Sequence, residues 1–431
     1  ERADALADYF EQVQWRNPLP DAELLDRPCL GNELPIMLSE FHLAELQTVL
    51  SKLKRGRSAG PDDIPPDFWA AIKDHDDACL ALLKLCQQCW DEKNIPTSWR
   101  RATVVLLFKK GDATLPQNYR PISLLAVGYK VLASLIHQRL LLGGTEQRMH
   151  SSQYGFRPRR GTADALMVVR RMIDAAIQRN QEGLLLLLLD WSKAFDRIKT
   201  PQMLSALRRF GLPPDVVEMI GGIYRARFFV IQDHTGTSSE RCQDCGIAQG
   251  CPLSPYLFIM VQTVMLYDVY ANVVLNEEPD FIVSNDVLYA DDTLFASTNP
   301  SNMQQLMNAI VQEGAIYGLE INWSKTVQIQ VCTQYVINRP DGNPIVQVRE
   351  AVYLGGLVTC DGKAGRELVR RLGEGRRVFD GLEKIWSHAG ITRSRKLQIY
   401  SACVVSKILY SMESLWFCLL YTSPSPRDRF L

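Results

Sequence analysis

The sequence lacks an excess of charge of either sign. Its 48 lysine and arginine residues balance 48 aspartate and glutamate residues, so the net charge is zero when histidine is neutral. A protein dedicated to coating nucleic acid is usually basic, so this balance argues against that class. Any site for a polyanion must instead come from local clusters of lysine and arginine.

Long apolar segments are also lacking. Even the run Leu184–Leu189 is far shorter than the about 18 residues that span a membrane. A longer, mostly apolar stretch at residues 252–275 is interrupted by Gln262 and Asp268, which favours a buried helix. There is no charged-then-apolar leader, and the chain begins with Glu1 rather than Met. We therefore expect a fragment of a longer protein with no membrane partner.

The eleven cysteines show no spacing typical of a disulfide framework. We therefore expect reduced thiols and an intracellular protein. Two C-x-x-C pairs, Cys86/Cys89 and Cys242/Cys245, leave a zinc site open as an alternative, because zinc binds such pairs when they lie close together. Chance spacing is the interpretation that we favour.

The remaining composition is that of an ordinary globular protein, with 46% hydrophobic and 22% charged residues. A chain of 431 residues is long for one core, so we expect about two or three subdomains. Apolar periodicity and turn residues predict helices at residues 38–55, 67–92, 121–142, 162–178, 215–224, 301–317 and from 363 onward. They predict strands at residues 103–108, 184–189, 227–233, 281–297 (as a pair), 318–322, 327–331 and 351–358. This alternation predicts an α+β fold.

Two adjacent aspartates lie inside an apolar, strand-like stretch, VLYADDTLFA at residues 287–296. Neighbouring side chains in a strand point to opposite faces, so Asp291 and Asp292 could share a ligand only at a hairpin turn. A third carboxylate, Asp190, ends the strand predicted at residues 184–189. Such carboxylates are typical of Mg²⁺ sites, where two ions can activate a hydroxyl and stabilise a leaving oxygen at phosphorus. The pair alone leaves open a turn with solvated acids.

The aspartate pair belongs to a series of sequence blocks in a fixed order. The blocks are RSAGPDDIPPDFW, the segment from WRRATVVLLFKKGD to YRPISLL, SSQYGFRPRRGTADAL, LLLDWSKAFDRI, GIAQGCPLSPYLF, VLYADDTLFA, GLEINWSKT and YLGGLV. Together they resemble the reverse transcriptase domain of LINE-type (non-LTR) retrotransposons. They cover roughly residues 38–417. Each block alone is weakly specific, whereas their combination in this order is very specific.

The resemblance implies a right-hand polymerase with fingers, a palm built on an antiparallel sheet, and part of a thumb. It implies an upstream linker (1–37), fingers with early palm elements (38–180), a catalytic palm (181–359) and the start of a thumb (360–417). The tail at residues 418–431, CLLYTSPSPRDRFL, resembles translated sequencing-adapter sequence, and we expect it to be an artefact. The upstream endonuclease and downstream Cys/His knuckle of longer family members are not visible in this sequence.

The resemblance also implies roles for single residues. Asp190, Asp291 and Asp292 match the catalytic triad that binds the metals, and Lys325 matches a candidate proton donor to pyrophosphate. The residues matched to substrate binding are Lys109 and Arg120 (triphosphate), Phe195 (a ring that excludes a 2′-OH), Gln249 and Gly250 (nucleotide and template), and Tyr289 (primer end). Gly355 and Gly356 match the hairpin that grips the primer, and Asp196 is expected to be structural. Core packing of Phe195 and solvated charges at Lys109 and Arg120 are the alternatives.

These roles imply an RNA-directed DNA polymerase that uses two Mg²⁺ ions, or Mn²⁺, to add dNTPs to a DNA primer on an RNA template. The alternatives are a group II intron-type reverse transcriptase and a relic that binds nucleic acid with weak or no catalysis. The resemblance alone implies a nuclear location. Basic clusters at residues 157–160, 370–377 and 393–396 are candidate phosphate contacts, with a solvated surface as the alternative for each.

Overall fold

A computed structural model of the chain describes residues 1–16, 27–179, 183–234, 236–273 and 285–415. The tail predicted to be an artefact and residues 17–26 of the predicted linker lie outside these residues. The helices are α1 (Arg2–Tyr9), α2 (Leu43–Ser51), α3 (Pro66–Ala71), α4 (Asp76–Asp91), α5 (Val127–Leu142), α6 (Thr145–Arg148), α7 (Thr162–Arg179), α8 (Ala194–Arg197), α9 (Thr200–Phe210), α10 (Pro214–Tyr224), α11 (Ser254–Asn272), α12 (Pro300–Ile316), α13 (Gly365–Gly381), α14 (Glu383–Ser387), α15 (Arg393–Ile399) and α16 (Ser406–Leu409). The strands are β1 (Arg101–Phe108), β2 (Tyr119–Leu125), β3 (Leu184–Leu189), β4 (Arg227–Asp233), β5 (Gly236–Thr237), β6 (Arg241–Gln243), β7 (Asn285–Tyr289), β8 (Asp292–Ser297), β9 (Val327–Val331), β10 (Val346–Val348), β11 (Glu350–Tyr353) and β12 (Gly356–Thr359). Among the described helices, none has the length and apolar character needed to cross a membrane.

These elements form two compact units. Each unit combines helices with a mixed or mostly antiparallel sheet, which confirms the α+β prediction. The first unit comprises Glu1–Ser151, Trp191–Val274 and Asn308–Ile321. The second unit comprises Ser152–Asp190, Leu275–Met307 and Asn322–Leu431. The predicted boundaries of linker, fingers, palm and thumb stay predictions.

The first unit is built on a sheet with the strand order β2-β1-β4-β5, and β6 also pairs with β4. β1 is antiparallel to β2 and parallel to β4. The long helix α11 is apolar on nearly every side and most of its residues are buried, as expected for a helix in the core of a domain. Pro255 lies in its first turn, as predicted, where a missing N–H breaks no helical hydrogen bond.

The helix predicted at residues 121–142 begins later in the structure than predicted. Residues 121–125, predicted as its first turn, belong to strand β2, and α5 begins at Val127. Pairing with β1 decides this, because Val105 lies opposite Ile122 and Leu106 lies opposite Pro121. A proline is tolerated there because β2 is the edge strand of the sheet.

Three other predictions needed correction. The helix predicted at 38–55 begins at Leu43, where the Glu45 carboxylate accepts a hydrogen bond from the His42 N–H at 2.8 Å. The helix predicted at 67–92 is interrupted after Ala71 by a tight turn, and α4 restarts at Asp76. Residues 318–322 form a turn with a single bridge instead of a strand, because Gly318 adopts a left-handed φ of 83°.

The second unit is built on a sheet with the strand order β10-β9-β3-β8-β7. Its central strand β3 is the six-leucine run, and all of its residues are buried, as the unbroken apolar run predicted. β3 is antiparallel to β8 and β9, whereas β10 is parallel to β9. The sheet is therefore antiparallel, as predicted, at the strands that carry the aspartates, and parallel at the β9–β10 edge. Apolar residues of α7 pack on this sheet and complete the core.

Candidate active site

The three predicted catalytic aspartates lie at neighbouring strand ends of the second unit. Asp190 follows the last residue of β3, and Asp291 and Asp292 lie at the turn between β7 and β8. β3 pairs with β8 so that Leu189 lies opposite Thr293, and the next step in this register places Asp190 opposite Asp292. Opposite side chains of an antiparallel pair share one face, with Cβ atoms about 5 Å apart. The structure therefore brings Asp190 and Asp292 together beside Asp291.

The three carboxylates lie close enough for their negative charges to affect one another. Partial burial, then the negative charges of Asp291 and Asp190, raise the pKa of Asp292 to about 6, whereas Lys325 acts in the opposite direction. The Asp292 side chain still reaches solvent. The surrounding protein thus removes part of its hydration while the neighbouring charges disfavour its ionised form.

A short loop that precedes β9 holds Asp190 from several sides. The Asp190 carbonyl accepts a hydrogen bond from the Asn322 N–H at 2.7 Å, and its N–H donates to the hydroxyl of buried Thr326 at 3.3 Å. The Lys325 ammonium lies 3.2 Å from the Asp190 carboxylate. Backbone and side chain of Asp190 are therefore both fixed by residues 322–326.

The carboxylate oxygens of Asp190, Asp291 and Asp292 are suitable ligands for a divalent cation. Carboxylate oxygens are the hard ligands that Mg²⁺ prefers, and a cation would relieve the repulsion that raises the pKa of Asp292. Within the described part of the chain, no group of three or more His, Cys, Asp or Glu side chains lies close enough together to hold a metal ion. The carboxylates therefore need side-chain adjustment, or oxygen atoms from water and substrate, to complete a coordination sphere.

The turn between β7 and β8 has an unusual backbone and a buried support. Ala290 has a φ of 56°, a left-handed conformation that is uncommon for a residue with a Cβ atom. The side-chain carbonyl of Gln153, 1% exposed, accepts hydrogen bonds from the N–H groups of Ala290 at 3.0 Å and Gly155 at 2.7 Å. Gln153 was quoted in a sequence block but received no predicted role, and the structure gives it one: it holds the turn that carries Asp291.

Two other predicted primer contacts belong to this unit. The Tyr289 ring is half-buried and packs against the core beneath the sheet. Gly355 lies at the turn between β11 and β12, and its carbonyl accepts hydrogen bonds from the Arg370 and Arg371 guanidinium groups. The hairpin predicted around Gly355 and Gly356 is therefore present, while its contact with a primer stays a prediction.

The first unit brings Phe195, Gln249 and Gly250 into one assembly. The Phe195 ring stacks on Phe258 with a centroid distance of 4.3 Å, and its carbonyl accepts a hydrogen bond from Ile247 at 2.6 Å. Gly250 has a φ of 126°, and a Cβ there would lie 2.5 Å from the Ser123 carbonyl oxygen. Glycine is therefore required at this position of the loop.

Asp196, the residue after Phe195, binds Gln249 through its side chain. It is 4% exposed, and the Gln249 amide donates to its two carboxylate oxygens at 3.1 and 3.2 Å. Burial raises the pKa of Asp196, and hydrogen bonds from Trp15, Gln14 and Gln249 act in the opposite direction. The predicted structural role of Asp196 is thus tied to the residue matched to nucleotide binding.

The predicted triphosphate ligands lie on the hairpin of β1 and β2. Arg120 pairs with Leu107, and the Lys109 N–H donates to the Asn118 carbonyl at 2.8 Å, which continues the register. Lys109 and Arg120 are exposed and share one face of the hairpin. Burial, then the positive charge of Arg197 and to a smaller extent that of Lys109, lower the pKa of Lys193 to about 8, so the Lys109 charge reaches Lys193.

The basic clusters differ in their contacts. Arg157 and Arg160 donate to the Gln153 carbonyl, at 3.5 and 3.1 Å. Arg370 and Arg371 form ion pairs with Glu367 and Glu374. The exposed arginines at the other positions are Arg159, Arg376, Arg377, Arg393 and Arg395. Part of each of the first two clusters therefore supports the fold.

The first C-x-x-C pair lies inside the first unit. Cys86 and Cys89 are buried on α4, and burial raises the pKa of both thiols, that of Cys89 to about 11. Both side chains are buried on the same helix, which fits a packing role for the pair.

Comparisons with known proteins agree with the blocks. A family model described as "Reverse transcriptase (RNA-dependent DNA polymerase)" matches residues 108–356. The "Transposon TX1 uncharacterized 149 kDa protein" of Xenopus laevis is 28% identical over 68% of this chain and 22% of that protein. The "Retrovirus-related Pol polyprotein from type-2 retrotransposable element R2DM" of Drosophila melanogaster is 26% identical over 73% of this chain and 30% of that protein. Among solved structures, apo telomerase from Candida tropicalis, truncated from its C-terminal domain, matches with 11% identity and a TM-score of 0.45 over 68% of this chain and 64% of that one.

The matched residues make up more than half of the chain and contain Asp190, Asp291, Asp292 and Lys325. The chain itself spans less than a third of each of the two transposon proteins. The mixed helices and strands of each unit agree with the α+β fold predicted from the sequence. The chain therefore belongs to the reverse transcriptase (RNA-dependent DNA polymerase) family, in the form carried by LINE-type retrotransposons.

Proposed function

We propose that this chain adds dNTPs to the 3′-OH of a DNA primer, with RNA as the natural template. The observation that supports this most strongly is the meeting of Asp190, Asp291 and Asp292 at the ends of β3 and of the β7–β8 hairpin. Carboxylates at such a position serve phosphoryl transfer, in which positioning and charge stabilisation provide most of the rate enhancement.

Asp190, Asp291 and Asp292 are the residues that would hold divalent cations, two Mg²⁺ ions or Mn²⁺. When bound, such ions make the primer hydroxyl a better nucleophile and stabilise charge on the transferred phosphate. Asp292 has to be ionised to serve as a ligand, which its raised pKa opposes until a cation approaches. The Lys325 Nζ lies 3.2 Å from the Asp190 carboxylate, and Lys325 would donate the proton to the leaving pyrophosphate.

Residues of the first unit supply nucleotide recognition in this proposal. Lys109 and Arg120 share the exposed face of a hairpin and would pair with phosphate oxygens. The half-exposed Phe195 ring would exclude a 2′-OH by its bulk. Gln249 and Gly250 would contact the nucleotide and template, and Tyr289 of the second unit would pack beside the primer end.

A second candidate function is that of a relic that binds nucleic acid without turnover. The observation that favours it is that the carboxylates do not form a ready metal-binding group within the described residues. Primer extension distinguishes the two candidates, because the relic retains duplex binding and loses nucleotide addition.

The test uses the full chain, an RNA template with an annealed DNA primer, dNTPs and Mg²⁺. Asp291→Asn is the active-site variant, and Asp341→Asn makes the same change in an exposed turn. We expect extension by the unaltered chain and by Asp341→Asn, and a loss of at least about 10³-fold in Asp291→Asn. Equal extension by Asp291→Asn would contradict the proposed site, and duplex binding without extension by any of the three proteins would favour the relic.

A further inference from the structure

The first sixteen residues, predicted to be a linker, are part of the first unit. Phe10 is fully buried, and the Trp15 ring meets Phe229 of β4 edge to face at a centroid distance of 4.5 Å. The Asp8 carboxylate accepts from the Arg241 guanidinium at 2.9 and 3.0 Å. This N-terminal segment (residues 1–16) lies outside the residues that the family model matches.

The end of the N-terminal segment reaches the buried carboxylate of Asp196. The Gln14 amide donates to one Asp196 oxygen at 2.6 Å, and the Trp15 indole N–H donates to the other at 3.0 Å. The neighbouring Arg197 guanidinium donates to the carbonyls of Val13 and Arg16 at 3.1 and 3.0 Å. Among the described residues, two of the three side-chain donors to the Asp196 carboxylate therefore come from this segment.

The remaining donor to Asp196 is the Gln249 amide, which approaches both carboxylate oxygens. We propose that Gln14 and Trp15 are positioning residues for Gln249, acting through the shared carboxylate of Asp196. The inference rests on the role of Gln249 in nucleotide binding given under the proposed function. It gives the N-terminal segment, which precedes the matched family region, a role in binding the nucleotide.

The physical basis is the demand of a buried carboxylate for donors. Its oxygen atoms offer about four acceptor sites, and the loss of a donor leaves an oxygen without a partner in a place that water reaches poorly. The carboxylate then turns toward the remaining donors or takes up a proton. Either change alters the acceptor pair that orients the Gln249 amide, and it also loosens the loop that carries Gln249, whose carbonyl accepts from the Ser123 N–H at 3.0 Å.

Two substitutions remove these donors and leave an apolar side chain in their place. Trp15→Phe removes the indole N–H and keeps a ring against Phe229, and Gln14→Leu removes the amide. Val13→Ala is the matched control, because the Val13 side chain is exposed and 44% accessible. In primer extension by the full chain, we expect each donor variant to raise the KM for dNTP about three- to tenfold, with kcat within about twofold.

Gln249→Leu separates this inference from the proposed function. If Gln14 acts through Gln249, Gln14→Leu raises the KM for dNTP in the unaltered chain and has no further effect when Gln249 is leucine. Full additivity of the two KM effects would overturn the inference. An unchanged KM in Gln249→Leu alone would instead contradict the nucleotide-binding role of Gln249.

A second measurement does not depend on turnover. Hydrogen exchange of the backbone N–H groups at residues 245–251 reports on the order of the loop that carries Gln249. We expect faster exchange there in Gln14→Leu and Trp15→Phe, and unchanged exchange in Val13→Ala and in strand β3 of all variants. Exchange at residues 245–251 that equals that of the unaltered chain would overturn the inference even if the protein were inactive.

Discussion

Asp292 is a residue at which burial and charge act in the same direction, against ionisation. Its folded pKa of about 6 lies above the ordinary value of 3.8, so the folded chain binds the proton more tightly than the unfolded chain. The free energy of unfolding of the metal-free chain therefore falls as pH rises through about 4 to 6. Because the side chain reaches solvent, screening limits the cost at neutral pH to about 1 kcal/mol.

We accordingly expect Asp292→Asn to stabilise the metal-free chain at pH 7 by about 1 kcal/mol and to leave stability unchanged below about pH 4. Urea unfolding in the presence of a chelator, at several pH values, measures this difference. Asp112→Asn is a control of opposite sign, since hydrogen bonds from Thr114 lower the pKa of Asp112. A pH-independent difference between Asp292→Asn and the unaltered chain would contradict the expected repulsion.

Gln153 gives a prediction about the catalytic turn. Gln153→Leu leaves the buried N–H groups of Ala290 and Gly155 without their acceptor, at a cost of about 1–3 kcal/mol each. We expect kcat of primer extension to fall about tenfold or more, with little change in the Kd for the RNA–DNA duplex. Gln147→Leu removes the same amide from an exposed position and serves as the control. An unchanged kcat in Gln153→Leu would show that the turn keeps its shape without this support.

At the scale of single residues, the sequence predicted which side chains carry the chemistry better than it predicted their supports. Asp190, Asp291 and Asp292 stand in apolar runs whose strand character is readable locally. The partners of Gln153 and Asp196 lie far along the chain, at Ala290 and at Gln14, Trp15 and Gln249. Hydrogen bonds between such distant residues depend on the folded topology, which no local pattern contains.

At the scale of elements, local signals worked where one residue type dominated. The unbroken leucines of β3 predicted a strand buried on both faces, and the aspartate pair predicted the β7–β8 turn. Strand β2 was missed because its pairing with β1 overrides a sequence that also fits a helix. Helix α1 was missed because its eight residues offer only about two turns of periodicity, and the helix packs on β4 and β5.

Close packing between two elements leads to a prediction at Gly155. A Cβ at this position would collide with the backbone nitrogen of Ala290 and lie 2.9 Å from the carbonyl carbon of Tyr289. We expect Gly155→Ala to displace the β7–β8 turn, lowering the unfolding free energy by about 1–3 kcal/mol and reducing extension more than duplex binding. Thermal unfolding and primer extension measure the two effects.

Gly373→Ala is the matched control for this substitution. A Cβ at Gly373 meets nothing within 4 Å, and the residue lies inside helix α13. Alanine there should raise the unfolding free energy by about 0.5–1 kcal/mol, because glycine weakens a helix interior. Equal behaviour of the two variants would contradict the close approach of residues 153–155 to the turn.

Over the whole molecule, charge is balanced, so attraction to a polyanion has to come from local clusters of exposed lysine and arginine side chains. Arg370 is committed to Glu367, Glu374 and the Gly355 carbonyl, whereas Arg376 and Arg377 of the same cluster are exposed. The same stretch of sequence therefore contains both structural arginines and candidates for phosphate contact. Sequence alone cannot separate them, because the distinction depends on which helix face is turned inward.

This division predicts how salt affects binding of an RNA–DNA duplex. Each lost phosphate contact should reduce the slope of log Kd against log salt by about 0.9, and removing two exposed arginines should weaken binding at low salt more than at high salt. We expect this behaviour for Arg376→Gln combined with Arg377→Gln, measured by fluorescence anisotropy across a salt series. Arg370→Gln should instead lower thermal stability, because it leaves the buried Glu367 with one partner fewer, and should keep the slope. A slope that stays unchanged in the double variant would mean that these arginines are only solvated, and that the duplex binds another face of the molecule.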